Sequence, residues 1–144
     1  MRHRKRGRKF GRKTDPRRAL KRDVVNSLFL HGRITTTLAR AKEFRSYAER
    51  MITIAKRGAA ARAAGDRIAA LTVYRRLLSE LHDESIVVHL IDEIAPRFAD
   101  RPGGYTRVLR FANGRLGDNA PTALFELVDH EPAAAPAATD EASS

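Results

Sequence analysis

The stretch RITTTLARAKEFRSYAERMITIAKRG, residues 33–58, joins a β-branched run to the clearest amphipathic helical pattern of the chain. The β-branched run favours a short strand, because such side chains pack well on a pleated surface. Over residues 38–57 the apolar side chains recur every three or four positions, which predicts a helix with one buried face. We expect Thr36 or Thr37 to cap this helix and Gly58 to end it.

A further helix is predicted before this stretch. Asp15 and Pro16 form a start signal, because aspartate caps helix N-termini and proline suits the first helical position. Apolar residues then recur at helical spacing as far as Gly32, which we expect to end the helix. Arg18 and Arg22 lie four residues apart and belong to a polar ridge beside the apolar side.

Two more helices are predicted after it. The segment 58–66 is rich in Ala and Gly and is expected to be a connector. Asp66 and Asp83 each precede an apolar pattern of helical period, so each is expected to cap a helix. Pro96 is expected to close the second of these helices, because proline cannot continue one.

The region after the helices predicts an antiparallel hairpin over residues 105–128. YTRVLRF and TALFELV have β character, and the turn-rich stretch ANGRLGDNAP separates them. The predicted order is then helix, strand, three helices, two strands. We therefore expect an α+β fold with two layers, a small three-stranded sheet packed by four helices.

Positive charge is concentrated at the start of the chain. In MRHRKRGRKFGRK, residues 1–13, eight positions are Lys or Arg and none is acidic. Residues 1–57 carry 19 Lys/Arg and 4 Asp/Glu, whereas residues 58–144 carry 9 and 13, and the whole chain has a net charge of +11. A polyanion is the partner that this distribution favours, and Gly7 and Gly11 would let the segment follow an irregular groove.

These patterns divide the chain into three parts. We expect residues 1–13 to be a basic N-terminal arm that adds nothing to the core and is not ordered before it binds. Residues 14–129 are expected to form a single globular RNA-binding domain. Residues 130–144 are predicted to be a disordered tail of acidic, Ala and Pro residues.

The composition argues against several classes of function. The chain has no Cys, which excludes disulfides and thiolate nucleophiles, and its five His residues show no metal-ligand spacing. It has neither a phosphate-binding glycine loop nor an apolar run long enough for a membrane span or a secretory signal. We expect a cytoplasmic protein that is not an enzyme, with no cofactor, metal, membrane or small-molecule substrate.

Two alternatives use the same charge. A DNA-binding architectural or regulatory protein would need a recognition helix or a dimer zipper. A small ribonuclease would need a His/Lys or His/Glu pair at the RNA backbone. In the hairpin, Arg107 and Arg110 have opposite parity, so at most one shares a face with Tyr105, which could stack on a base or be half-buried.

Four blocks of the sequence carry a family resemblance. MRHRKRGRKFGR, RITTTLARAKEFRSYAERMITIAK, IAPRFADRPGGYTRVLR and GRLGDNAPTALFELV follow one another and cover nearly all of residues 1–129. In this order they resemble the bacterial large-subunit ribosomal protein L-seventeen family. The resemblance implies an α+β fold, binding to large-subunit ribosomal RNA and a structural role in subunit assembly near the opening of the nascent-chain tunnel. It also implies a place in the ribosome, neighbouring ribosomal proteins as contacts and no catalysis.

The resemblance also assigns regions to RNA. The family's basic extension corresponds to Arg2–Lys13, its strand-and-helix junction to Arg33–Lys42 and its GGYTR segment to Gly103–Arg107. Residues 14–17, TDPR, stand where the family commonly carries a His-Arg pair, and the Ala-rich residues 58–70 lie where the family varies. With the basic ridge of the first helix, the candidate RNA-binding residues are Arg2, His3, Arg4, Lys5, Arg6, Arg8, Lys9, Arg12, Lys13, Arg17, Arg18, Arg22, Arg33, Thr35, Thr36, Lys42, Arg101, Gly104, Tyr105 and Arg107.

Overall fold

The computed structural model describes residues 7–129 of the 144-residue chain. The predictions for the first part of the arm, Arg2, His3, Arg4, Lys5 and Arg6, and for the tail, residues 130–144, lie outside the described residues. The elements, in chain order, are α1 (Thr14–His31), β1 (Arg33–Thr37), α2 (Leu38–Ala63), α3 (Arg67–Leu81), α4, β2 (Thr106–Gly114) and β3 (Pro121–Leu127). Here α4 denotes three consecutive helical segments, Glu84–His89, Leu90–Ile94 and Ala95–Arg97. The predicted α+β class and element order are confirmed.

The three strands form one antiparallel sheet in the order β1-β3-β2. β1 runs along β3 from the pair Arg33 and Glu126 to the pair Thr37 and Thr122. β2 runs along the other side of β3, with a register irregularity between Arg110 and Gly114 at the hairpin end. The predicted hairpin is confirmed, and β3 lies at the centre of the sheet although it comes last in the chain.

One face of α2 forms the centre of the core. α2 packs against α1, α3, α4 and all three strands. The residues of this face are exposed by at most 2% and are Ala41, Phe44, Ala48, Met51, Ile52 and Ala55. The sheet contributes Ala123, Phe125 and Leu127. The amphipathic pattern of residues 38–57 therefore identified the helix around which the domain is built.

The start of α1 differs from the prediction. Its N-cap residue is Lys13, so Asp15 lies in the first turn and Pro16 is the third helical residue. Proline is tolerated there because the first four N–H groups of a helix have no partner within it, and Asp15 suits the positive end of the helix dipole. The C-terminal prediction is confirmed: Gly32 has φ 71° and its N–H donates to the Leu28 carbonyl at 2.8 Å.

Gly58 does not end α2, contrary to expectation. The helix continues to Ala63, and Gly58 is buried where α2 meets α3, so the connector shrinks to residues 64–66. A Cβ atom at Gly58 would lie 2.8 Å from Cγ1 of Val73. This glycine is therefore required for the close approach of two helices rather than for a helix end.

The capping predictions for the next two helices are confirmed. The Asp66 carboxylate accepts from the N–H of Ala69 in α3, and the Asp83 carboxylate accepts from the N–H of Ile86 in α4. At α2, Thr37 occupies the N-cap position with extended backbone, as one of the two expected residues, but its side chain makes no capping hydrogen bond.

Pro96 lies inside the last turn of α4 instead of closing it. The helix ends at Arg97, and the segment before the proline is a π turn in which the N–H of Ala95 donates to the carbonyl of Leu90. Proline has no N–H and its ring crowds the carbonyl four residues earlier. The wider π turn relieves that crowding, so the helix continues through the proline.

We predict that Gly58→Ala destabilises the domain by about 1 kcal/mol. Overpacking against Val73 costs about 1–3 kcal/mol, and the better helix propensity of alanine returns about 1 kcal/mol. The free energy of unfolding, measured by urea denaturation, tests this. As a control, Gly58→Ala combined with Val73→Ala should lose less than the sum of the single changes. A stabilised Gly58→Ala variant would contradict the close packing.

Candidate nucleic-acid interface

The second half of the basic arm is docked on the domain. The half-buried ring of Phe10 packs on Phe44 of α2 with ring centroids 5.4 Å apart. Gly7 lies against the Glu43 carboxylate, and the N–H of Arg12 donates to the carbonyl of Lys9 at 3.1 Å. The expectation that the arm adds nothing to the core and lacks order before binding is therefore wrong for residues 7–13, because Phe10 gives them an apolar contact.

This docking arranges the arm's charges over the start of two helices. The arm cations that the structure describes, Arg8, Lys9, Arg12 and Lys13, are exposed. Lys42 is exposed on α2 beside Glu43, and α1 begins immediately after Lys13. We call the following residues the arm surface: Arg8, Lys9, Arg12, Lys13, Arg17, Arg18 and Lys42. Within residues 7–129, one ion pair involves this set, between Arg18 and Asp15 at 3.6 Å.

Arg22, predicted to bind RNA, also holds the fold together. Its Nε donates to the carbonyl of Glu80 at 2.9 Å, and its Nη2 lies 3.2 Å from Nε2 of His82. The Nδ2 of Asn26 donates to the carbonyl of Leu81 at 3.2 Å. The last carbonyls of a helix have no partner within it, so the polar ridge of α1 serves as a cap for α3.

Lys21 and Tyr47 lie beside this cap. The Lys21 Nζ sits 3.7 Å from the centroid of the Tyr47 ring, and the Tyr47 hydroxyl donates to Oε2 of Glu80 at 3.0 Å. Burial lowers the pKa of Lys21, while burial and the Glu80 carboxylate raise the pKa of Tyr47. These contacts join α1, α2 and α3 at the edge of the arm surface.

A second group of predicted residues meets on one face of the sheet. The strand register places alternate residues together there, and we call this set the outer sheet face: Arg33 and Thr35 of β1, Glu126 and Leu124 of β3, Arg107 and Leu109 of β2. Nε of Arg107 donates to Oε1 of Glu126 at 2.7 Å, and Nη2 of Arg107 forms an ion pair with the same oxygen at 2.6 Å. The Glu126 side chain is 3% exposed and that of Arg107 is 46% exposed. The structure thus brings Arg33, Thr35 and Arg107 onto one surface.

Thr36 and Tyr105 do not join that surface. Thr36 pairs with the buried Ala123 and has the opposite parity to Thr35, so it faces the core side. Tyr105 is 2% exposed and its ring packs against Phe98 with centroids 5.2 Å apart. The suggestion that Tyr105 stacks on a base is therefore wrong for this structure, because the ring is almost fully buried and the Lys56 Nζ lies over it, 5.3 Å from its centroid.

The loop before β2 presents backbone and one arginine to solvent. Arg101 and Gly104 are both exposed. The Lys56 Nζ donates to the Arg101 carbonyl at 2.6 Å and lies 3.5 Å from the Tyr105 hydroxyl oxygen. These contacts hold the loop against α2.

The amino-acid sequence matches a known protein family and several of its named members. The family model described as "Ribosomal protein L17" matches residues 20–128, most of the chain. The chain belongs to this ribosomal protein family. It is 46% identical over 144 residues to the "Large ribosomal subunit protein bL17" of Syntrophotalea carbinolica, covering 99% of this chain and 85% of that protein. It is 49% identical over 129 residues to the protein of the same name in Thermus thermophilus, covering 90% and 100%. The match in Thermomicrobium roseum is 47% identical and covers 89% and 99%.

Several residues of this ribosomal protein surface escaped the sequence prediction. Phe10 could have been found as the one aromatic residue in the arm. Lys21 and Glu126 could not have been found, because their roles depend on Tyr47 and Arg107, which only the tertiary fold brings close.

Among residues 7–129, no group of His, Cys, Asp and Glu could hold a metal ion. None of the helices in the same range is long and apolar enough to span a membrane.

The hairpin loop contains an ion pair that lowers the pKa of a carboxyl group. Nε and Nη2 of Arg115 donate to the two carboxylate oxygens of Asp118 at 3.0 and 2.5 Å, and the N–H of Ala120 donates to Oδ1. The Arg115 guanidinium, with the Ala120 N–H, holds the pKa of Asp118 at about 2, below its ordinary value of 3.8. A carboxyl pKa lowered on folding adds stability above the ordinary pKa, and that stability is lost as the pH falls through the folded pKa.

We predict that the Asp118 carboxyl titrates in the folded protein with a midpoint at about pH 2, and that the loop loosens between about pH 4 and pH 2. An NMR titration of the carboxyl carbon measures this midpoint. In Arg115→Gln the midpoint should move up towards 3.8. An unchanged midpoint in that variant would show that the arginine is not the cause.

We also predict that Phe10→Ala undocks residues 7–13. Removing a half-buried ring forfeits about 1–2 kcal/mol of local stability, so hydrogen exchange at the Arg12 amide should accelerate roughly 5- to 30-fold. The control is Phe111→Ala on the hairpin, which should leave this exchange rate unchanged. Equal exchange rates in Phe10→Ala and the parent chain would contradict the docking.

Proposed function

We propose that this chain is a structural constituent of the large ribosomal subunit that binds and stabilises large-subunit ribosomal RNA and supports subunit assembly. Membership of the ribosomal protein family carries the proposal. The described half of the arm adds a physical route, because Phe10 fixes it where its cations lie beside those of α1 and α2. A fixed row of cations gains affinity for phosphates by releasing their counterions.

The start of α2 supports the same proposal. The first turn of this 26-residue helix has no acidic residue, and Lys42 follows within two turns. A helix N-terminus presents backbone N–H groups and partial positive charge, both of which suit phosphate oxygens. The docked arm lies next to these turns, so phosphates along one RNA strand could meet the arm and the helix together.

The remaining partners and the location follow from the family. We propose neighbouring large-subunit ribosomal proteins as further contacts and the cytoplasmic ribosome as the location. A structural constituent of this kind is not an enzyme, which agrees with the sequence-based expectation. The comparisons favour the ribosomal function over the DNA-binding alternative, since the matched family is ribosomal.

Under this proposal, the candidate RNA-binding residues contact RNA from several parts of the chain. The arm surface offers exposed cations for phosphates. Arg33, Thr35 and Arg107 would contact RNA from the outer sheet face, and Arg101 and Gly104 from the loop before β2. Arg2, His3, Arg4, Lys5 and Arg6 remain predictions from the sequence and would extend the arm along the RNA.

The test neutralises the arm without undocking it. The eight Lys/Arg of residues 1–13 are changed to Gln while Phe10 is kept. If these eight cations of the parent chain, together with Arg18 and Arg22, neutralise about ten phosphates, log affinity for large-subunit ribosomal RNA should fall with log salt at a slope of roughly −7 to −9. The neutralised arm should lower the magnitude of this slope by roughly 6 to 7, and purified large subunits should contain much less of the variant.

A matched control removes positive charge from another face. Arg67→Gln, Arg75→Gln and Arg76→Gln lie on exposed positions of α3 and should leave the salt slope and subunit incorporation nearly unchanged. Parent-like recovery of the neutralised-arm variant in large subunits would refute the proposal. Sedimentation of the cellular protein with nucleoid DNA, and not with ribosomal subunits, would support the DNA-binding alternative instead.

A further inference from the structure

The outer sheet face has a different chemistry from the arm surface, and we propose that it binds unpaired RNA bases by stacking. This inference rests on the proposed RNA-binding function and assigns a second, base-contacting surface to it. The surface is the outer sheet face together with Phe111, an exposed residue of β2 two positions beyond Leu109, where the register irregularity begins.

Arg107 is held in one orientation by a buried carboxylate. Its Nε donates to Oε1 of Glu126 and its Nη2 lies 2.6 Å from the same oxygen, which restricts the rotation of the guanidinium. The Glu126 side chain is almost fully buried, whereas about half of the Arg107 side chain is exposed to solvent. A planar guanidinium fixed in this way can stack on a base with little further loss of side-chain entropy. Glu126 is thus a positioning residue for Arg107.

Apolar side chains extend the surface along β2. Leu109 is 45% exposed and Phe111 is 42% exposed, and Leu124 lies half-buried between Leu109 and Thr35. An exposed phenylalanine offers an aromatic face to a base, and such stacking tolerates any base because each has a π-face. The exposed row from Arg107 to Phe111 therefore supplies one planar cation and one aromatic ring on the same strand.

Charge and continuity favour RNA over a protein partner. The carboxylate of this face, Glu126, is neutralised by Arg107, and Arg33 lies on the other side of it across β1. The face thus offers positive charge to a partner. β1 is an edge strand whose last residue, Thr37, is also the N-cap of α2, so the sheet face borders the helix on which the arm is docked. RNA bound along the arm surface could continue onto the strands.

The experiment measures affinity and its salt dependence together. The full-length chain carrying Phe111→Ala is titrated with large-subunit ribosomal RNA at several salt concentrations. Loss of one stacked base should weaken binding by about tenfold with an unchanged salt slope, since no phosphate contact is removed. Ile68→Ala is the control, because Ile68 is 81% exposed on α3 away from the sheet and its loss should change neither quantity.

Glu126→Gln tests the positioning of Arg107. The amide oxygen still accepts one hydrogen bond, so the variant should fold, while the charge that fixes the guanidinium is lost. Affinity should fall several-fold although the change adds one net positive charge, which by itself would raise the affinity for RNA and the magnitude of the salt slope, the latter by about one. A short unpaired RNA oligonucleotide should compete with the parent chain's binding better than a duplex of equal length, and Phe111→Ala should reduce this preference.

The outcomes separate this inference from the proposed function. Parent-like affinity in both Phe111→Ala and Glu126→Gln would overturn base stacking here, while a lowered slope in the neutralised-arm variant would still support RNA binding. A change of salt slope in Phe111→Ala would also overturn it, because phosphate contact would then explain the effect. Poor subunit incorporation of Phe111→Ala with parent-like RNA affinity would identify a protein partner and overturn it as well.

Discussion

Burial of one face of α2 is the constraint on which the rest of this structure depends. Phe44, Met51 and Ile52 lie at the centre of the core, and every other helix and strand packs against their helix. Because Leu38 follows Thr37 directly, seating α2 also fixes where β1 ends. The position of β1 in turn places β3 and its hairpin partner β2. One amphipathic helix thus determines the sheet that covers it, and through Phe44 it also provides the seat for the arm.

The cations of this chain divide into those that hold the fold and those that face outward. Arg22 caps α3, Lys56 holds the loop before β2, and Arg107 neutralises a buried carboxylate. These contacts are partly buried or join distant segments, so removing one partner would leave unsatisfied groups. The cations of the arm surface are mostly exposed and make few contacts of this kind within residues 7–129. The net charge therefore predicts a polyanionic partner, but only the tertiary packing shows which cations are exposed to that partner.

The fold could be predicted from the sequence wherever local chemistry decides it. Asp66 and Asp83 cap their helices, and Gly32 ends one, because each acts on backbone groups a few residues away. The predictions that Gly58 and Pro96 end their helices were wrong, because features that the local sequence does not show decide the roles of these residues. The first is explained by Val73 on another helix and the second by a π turn that periodicity does not reveal. The same holds for the candidate site. Its basic residues could be identified from the sequence, whereas the burial of Tyr105 and the pairing of Glu126 with Arg107 arise from tertiary structure.

The docked half of the arm changes the energetics expected of a basic extension. Ordering a free segment on RNA costs about 1–2 kcal/mol of backbone entropy per residue, which must be met from the contacts with phosphate. In this protein Phe10 and the turn between Lys9 and Arg12 restrict residues 7–13 before any RNA is present. Part of the ordering cost is then met by folding, so a larger share of each phosphate contact contributes to affinity. A single aromatic residue within a run of cations can therefore convert a flexible polycation into a preorganised surface.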